Sequence, residues 1–173
     1  YYTFIANNYD LFERLVNKVS FYEVCEEYQL PYPATVIIRK ESLVAGKFIG
    51  ELPFEFPIAL KPANSVEWLS VDFEGRKKAF ILNERAEFDV IIERIYQAGY
   101  QSEMIVQDFI PGDDSHMRVL NAYVDERHQV RMMGLGHPLL EDPTPGSVGN
   151  YVVILQDENQ PVYQQTETFL KKI

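Results

Sequence analysis

The stretch MIVQDFIPGDDSHMRV, residues 104–119, decides the fold. It opens on three consecutive apolar residues, Met104, Ile105 and Val106, the pattern of a buried strand. It turns polar at Gln107 and Asp108, returns to Phe109 and Ile110, and breaks at the turn dipeptide Pro111-Gly112. Asp113, Asp114 and Ser115 follow before a second strand pattern begins at Met117. Two readings fit an amide, a carboxylate and two aspartates around a strand end. One is a hairpin with a solvated rim. The other is a hinge that reads a small molecule, and the surrounding sequence has to choose.

Upstream, residues 10–13 (Asp10 to Glu13) and 20–23 (Ser20 to Glu23) read as capping boxes that open two short helices. Phe21, Val24, Cys25 and Tyr28 repeat at helical spacing, and the prolines at 31 and 33 end that run. Residues 35–39 and 54–60 read as strands, the second ending at Lys61-Pro62. Residues 66–73 and 77–82 look strand-like and flank Glu74-Gly75, a hairpin turn on this reading. Asn83 is the expected cap of a helix with the apolar stripe Phe88, Ile91, Ile92, Ile95 and Tyr96, stopped by Gly99.

Downstream, strands are expected over 117–124, 130–135 and 151–155, with a Pro- and Gly-rich loop, HPLLEDPTPGSVGN, over 137–150. Glu158 to Pro161 reads as a loop. The tail QQTETFLKKI reads as a helix capped at Thr166 or Thr168 and still in progress, which suggests a fragment. A helix–strand order followed by mostly antiparallel strands predicts an α+β chain.

The chain has 173 residues with 46% hydrophobic and 13% aromatic content, the profile of an ordered globular protein. A formal net charge of −10 argues against nucleic acid, which needs a clustered basic surface. A few local lysines can still hold one anionic ligand, because the walls of a site set its potential. No apolar run of about 18 residues is present to span a membrane. The single cysteine, Cys25, excludes an internal disulfide and reads as a buried thiol, so a reducing, cytoplasmic setting is the expectation. His116, His128 and His137 are scattered over turns and read as surface residues rather than metal ligands. Neither a GxGxxG nor a GxxxxGK[ST] run occurs.

Three groups of lysines remain. Lys61 ends an apolar strand, where an ammonium loses hydration unless an anion meets it or its stem lets it reach water. Lys18 lies between the first two helices, and Lys77-Lys78 lead the strand KKAFIL. Together with the hinge stretch, the segments NKVSFYEVCEEYQLPYPAT and FPIALKP resemble the ATP-grasp superfamily, in particular its carboxylate–amine ligases. The likeness covers residues 10–135, and its order and spacing are more specific than any one motif.

The resemblance implies the ATP-grasp fold, two α+β lobes with ATP between them. It implies that residues 1–33 form a helical lead-in, 34–106 the small lobe, and 107–173 the hinge and part of the large lobe. It assigns adenine reading to the hinge at Gln107, Asp108, Phe109 and Ile110, ribose binding to Asp114 with Asp113 as competitor, and phosphate contact to Lys18 and Lys61. It implies an ATP-dependent ligase with carboxylate and amine substrates, amino acids or a cell-wall precursor among them. A non-catalytic nucleotide-binding module of the same fold is the alternative. The connection ANSVEWLSVDFEGRKK departs from the family's glycine-rich flap, with Asn64, Ser65 and Ser70 as candidate substitutes. Mg²⁺ is the implied cofactor, with its ligands expected beyond residue 173 and none within the chain. Catalytic residues are not assigned.

Overall fold

In the computed structural model, which describes residues 8–143 and 150–173, the chain divides into two compact units, Tyr1–Ile110 and Pro111–Ile173. The first is built on a four-stranded antiparallel sheet. Its strands are β1 (Thr35–Ile38), β4 (Ile58–Pro62), β5 (Phe80–Leu82) and β6 (Met104–Asp108), in the order β1-β6-β4-β5. The apolar opening of the hinge stretch is therefore an inner strand, and Met104, Ile105 and Val106 are fully buried. A two-stranded ribbon, β2 (Leu43–Val44) and β3 (Lys47–Phe48), lies between β1 and β4 in the chain.

One face of the sheet is covered by the amphipathic helix α4 (Arg85–Gln97). Its Phe88, Ile92 and Ile95 are fully buried with Ile38, Ile58, Leu60, Met104 and Val106. Each such side chain contributes about 1.5–3 kcal/mol on burial. Gly99, at φ 99°, ends the helix as the sequence predicts. The second unit is a three-stranded antiparallel sheet, β7 (Val119–Val124), β8 (Val130–Glu141) and β9 (Tyr151–Gln156), followed by α5 (Gln160–Leu170). The α+β class and the antiparallel pairing agree with the sequence reading.

Several boundaries differ, each for a local reason. The first two helices, α1 (Tyr9–Val16) and α2 (Lys18–Glu27), are capped by asparagines rather than by Asp10 and Ser20. Asn8 Oδ1 accepts from Asp10 N at 2.9 Å, and Asn17 Oδ1 accepts from Val19 N at 2.9 Å. An asparagine upstream of each expected capping box satisfies the orphan N–H groups first. Helix α2 stops before the prolines because Gln29 takes φ 56° and Leu30 N bonds back to Cys25 O at 2.8 Å, a left-handed closure without glycine.

Residues 66–73 are not a strand. Asn64 Oδ1 accepts from Val66 N and Glu67 N, both at 3.0 Å, and starts the helical turn α3 (Ser65–Trp68). β5 consequently pairs with β4, and Glu74-Gly75 is a turn without a hairpin, Gly75 having φ 83°. Glu84, not Asn83, occupies the cap position of α4, while Asn83 N donates to Glu87 Oε2 at 2.7 Å. β8 continues through residues 137–141, where a loop was expected, because pairing with β9 extends it. Residues 144–149 of that expected loop lie outside the described residues. Asn159 caps α5 by accepting from Val162 N, so Thr166 and Thr168 fall inside the helix rather than at its start.

The cap at Asn17 bears on function because it starts the helix whose first residue is Lys18. Asn17→Ala is expected to cost about 1 kcal/mol of folding stability, and Asn17→Ser only a few tenths. Urea denaturation of the chain followed by circular dichroism checks this, and equal loss in both variants would mean that the cap is not the cause.

Candidate functional site

Strand alternation sorts the first unit's polar groups. On β4, Ile58, Leu60 and Pro62 are buried while Ala59 and Lys61 are half-buried. Ile58 and Leu60 point to the α4 core, so Ala59 and Lys61 occupy the opposite face. Cross-strand partners share a face, which adds Ile105, opposite Lys61, and Gln107, opposite Ala59. Thr35, opposite Gln107 from the other side, completes the row. Ile105, Val24 and Cys25 are buried outside the α4 cluster. Cys25 has its thiol pKa pushed up by burial, in line with an unreactive side chain.

Lys61 extends along this second face with its ammonium 5.8 Å from the centroid of the Tyr22 ring, a cation–π contact from α2. Lys18, the first residue of α2, reaches the same end of β4. Its Nζ donates to Ser65 Oγ at 2.6 Å and to Ala63 O at 3.3 Å. Burial lowers the Lys18 pKa, and the charges of Lys61 and Lys78 lower it further. Among the described residues neither Lys18 nor Lys61 forms an ion pair with a carboxylate. The two ammoniums make the local potential more positive than the net charge of −10 would suggest.

The hinge residues sit at the other end of the ladder. Gln107 is 5% exposed, and its Nε2 donates to Thr35 Oγ1 at 2.8 Å, which donates on to Pro33 O at 2.7 Å. The amide is thus held by the protein, and it fixes β6 against β1. Asp108 is exposed, with its backbone N–H donating to Ala34 O at 2.9 Å. Strand pairing ends there, so the backbone of Phe109 and Ile110 continues past the ladder. Between Ile58, opposite Asp108, and Lys61 the strand advances three residues, roughly 10 Å. The sheet therefore separates an end with unladdered backbone from an end with converging ammoniums.

Asp114 belongs to the second unit, where it begins the 3-10 turn Asp114–His116. Its competitor Asp113 folds back onto its own turn. Asp113 Oδ1 accepts from Ser115 N at 3.0 Å and from the Ser115 hydroxyl, and lies 3.2 Å from His116 Nδ1. The Ser115 hydroxyl, then its N–H, then His116 hold this carboxyl below its ordinary pKa. Among the described residues no group of three or more His, Cys, Asp or Glu could hold a metal ion. The residues described do not fit Mg²⁺.

The three candidate flap substitutes each make a hydrogen bond within the first unit. Asn64 caps α3, Ser65 meets Lys18, and Ser70 Oγ donates to Glu67 O at 2.7 Å. Tyr22 escaped the sequence reading because it falls off the helix stripe of α2. Its neighbourhood to Lys61 is a tertiary contact with no local signal.

No family model matches the chain. It is 75% identical over 166 residues to a D-aspartate ligase of Enterococcus faecium (strain Aus0004), which covers 96% of this chain. The chain spans 39% of that relative's length. Among solved structures it resembles an L-amino acid ligase from Bacillus licheniformis, with a TM-score of 0.61, 10% identity, and coverage of 96% of this chain and 35% of that one. It also resembles a D-alanine–D-alanine ligase from Helicobacter pylori, with a TM-score of 0.55, 16% identity, and coverage of 90% and 41%. The likeness to both runs along nearly the whole chain, and with it the chain carries the fold of the ATP-grasp ligases.

Proposed function

We propose that this chain is the ATP-binding portion of an ATP-dependent carboxylate–amine ligase. The observation that carries the reading is the meeting of Lys18 and Lys61 at one end of β4, with no carboxylate paired to either among the described residues. An ammonium is a good point charge for a phosphate oxygen. The backbone at Phe109 and Ile110, past the ladder, takes the adenine edge, with Gln107 and Asp108 bracing the strand that presents it. Asp114 accepts from the ribose hydroxyls, a task for which a carboxylate has the right acceptors. The Asp113 carboxyl, the competitor for this role, is held by its own turn.

In the proposed reaction an oxygen of the substrate carboxylate attacks the γ-phosphorus of ATP. The bond to the bridging oxygen breaks, and ADP leaves with that electron pair. The amine nitrogen then attacks the acyl phosphate carbon, phosphate departs, and the amine loses a proton as the amide forms. Lys18 and Lys61 orient the phosphates and offset their charge, the form of catalysis expected where positioning and electrostatics dominate. ATP-grasp ligases of this type use Mg²⁺ with ATP. Its ligands would come from segments of the ligase that this chain, matching 39% of the relative, does not include. D-aspartate is the first substrate to test, because the relative's name carries it.

The reading predicts that a protein containing this chain binds ATP in preference to GTP. A hinge acceptor that pairs with the exocyclic amine of adenine faces a carbonyl in guanine, and an unpaired buried acceptor costs about 1–3 kcal/mol. Isothermal titration with both nucleotides measures the difference, and equal affinities would remove the hinge assignment.

A further inference from the structure

We propose that Lys78 is a third phosphate-binding residue, delivered to the Lys18 and Lys61 end of β4 by the connection that stands where a glycine-rich flap would be. The inference rests on the nucleotide-binding reading above and adds a residue to it. Phe80 pairs with Leu60 across β5 and β4, and the strands are antiparallel. Lys78, two residues before Phe80, is therefore carried toward the Lys61-Pro62 end of β4, the end that Lys18 also reaches.

The start of the connection 63–79 touches Lys18, and its end carries a charge that acts on Lys18. At its start, Ser65 Oγ accepts from Lys18 Nζ at 2.6 Å, and Ala63 O accepts from the same ammonium at 3.3 Å. At its end, the Lys78 charge is close enough to act on Lys18 together with that of Lys61. The last residues are also held in place. Trp68, 5% exposed, donates from Nε1 to Lys77 O at 3.1 Å, which fixes the backbone of the residue immediately before Lys78. Arg76 ties the same segment together by donating to Trp68 O at 2.7 Å.

A connection with the single glycine Gly75 is poorly suited to a backbone anion nest, which needs small residues in sequence. Here the segment is instead pinned by a buried tryptophan and presents an exposed ammonium at its end. The charges of Lys61 and Lys78 both act unfavourably on the Lys18 ammonium, and a ligand with several negative oxygens offsets that effect. A triphosphate is such a ligand. A nucleoside without phosphates is not.

The test uses the full-length protein, with ATP, adenosine and inorganic triphosphate as probes in titration calorimetry. Lys78→Met is expected to weaken ATP and triphosphate roughly tenfold, the size of a lost charge-assisted hydrogen bond, and to leave adenosine unchanged. Lys78→Arg is expected to restore most of the loss, since it keeps the charge. The slope of log affinity for ATP against log salt is expected to be shallower in Lys78→Met than in the wild type. If the wild type binds ATP and Lys78→Met binds it equally well, the Lys78 assignment is overturned and the wider reading stands. Equal weakening of ATP and adenosine also overturns it, by making Lys78 structural. Absence of nucleotide binding in the wild type would instead bring down the reading beneath it.

Discussion

Replacing Trp68 by alanine is expected to destabilise the chain by about 3–5 kcal/mol, the scale of a buried tryptophan truncation. Trp68 is 5% exposed and meets Tyr100, Phe73 and Phe80 edge-on, with ring centroids at 5.4, 5.9 and 6.4 Å. Such pairs add to the stabilisation from burial alone. Alanine would leave a cavity among three rings and would also strip Lys77 O of its donor. Against a total stability of about 5–15 kcal/mol for a domain, that is a large share. Trp68→Phe separates the two effects. It refills most of the volume and leaves only the carbonyl unpaired, so about 1–3 kcal/mol is expected. Urea denaturation followed by circular dichroism is the measurement, because Trp68 is the chain's single tryptophan and its fluorescence disappears with it. An alanine variant within about 0.5 kcal/mol of wild type, the range of a surface change, would show that Trp68 does not anchor the connection. Lys78 would then have no fixed backbone behind it.

Trp68 also marks where the sequence stopped being legible. The run from Val66 to Phe73 has the residue types of a strand, and nothing local contradicts a hairpin at Glu74-Gly75. What overrides it is one side chain. Asn64 caps a helical turn that swings Trp68 inward, and burial of the indole outweighs weak strand propensity over a few residues. The strands at 35–38 and 104–108 were legible because they are apolar runs bounded by turn residues, the strand at 58–62 was legible but read as starting at 54, and α4 was legible because its stripe repeats from Phe88 to Tyr96. The asparagine caps at positions 8, 17 and 159 were missed, since capping boxes at Asp10 and Ser20 and the threonines at 166 and 168 offered competing starts. For the candidate site, residue types and order pointed to Lys18, Lys61 and the hinge. What the sequence could not give is that Tyr22 lies beside Lys61, that Gln107 spends its amide on Thr35, and that Lys78 acts on Lys18. The first two are contacts and the third an electrostatic influence between segments far apart in the chain, and no spacing rule encodes them.

Lys61→Ala is expected to weaken ATP binding by roughly 1.5–3 kcal/mol, or about ten- to hundredfold, while adenosine binding stays as it was. The expectation follows from where the strand puts the ammonium. Lys61 shares its face with Ala59, Ile105 and Gln107 and lies three residues along the ladder from the hinge end, so its charge can reach phosphates without touching the base. A rival account treats Lys61 as a strand-end lysine whose stem packs on Tyr22 and whose head merely reaches solvent. Lys61→Met decides between them, because methionine keeps an apolar stem over the ring and removes only the charge. If charge is what matters, Met and Ala lose ATP affinity alike and both keep adenosine. If packing is what matters, Met retains ATP affinity, or Ala loses ATP and adenosine together, and either result would make Lys61 a structural residue. The salt dependence supplies a further check: removing one phosphate contact should flatten the decline of ATP affinity with ionic strength, since exposed charge interactions are the ones that salt screens. A slope unchanged in Lys61→Met would place the ammonium away from the phosphates, and with it would go the observation on which the ligase reading rests.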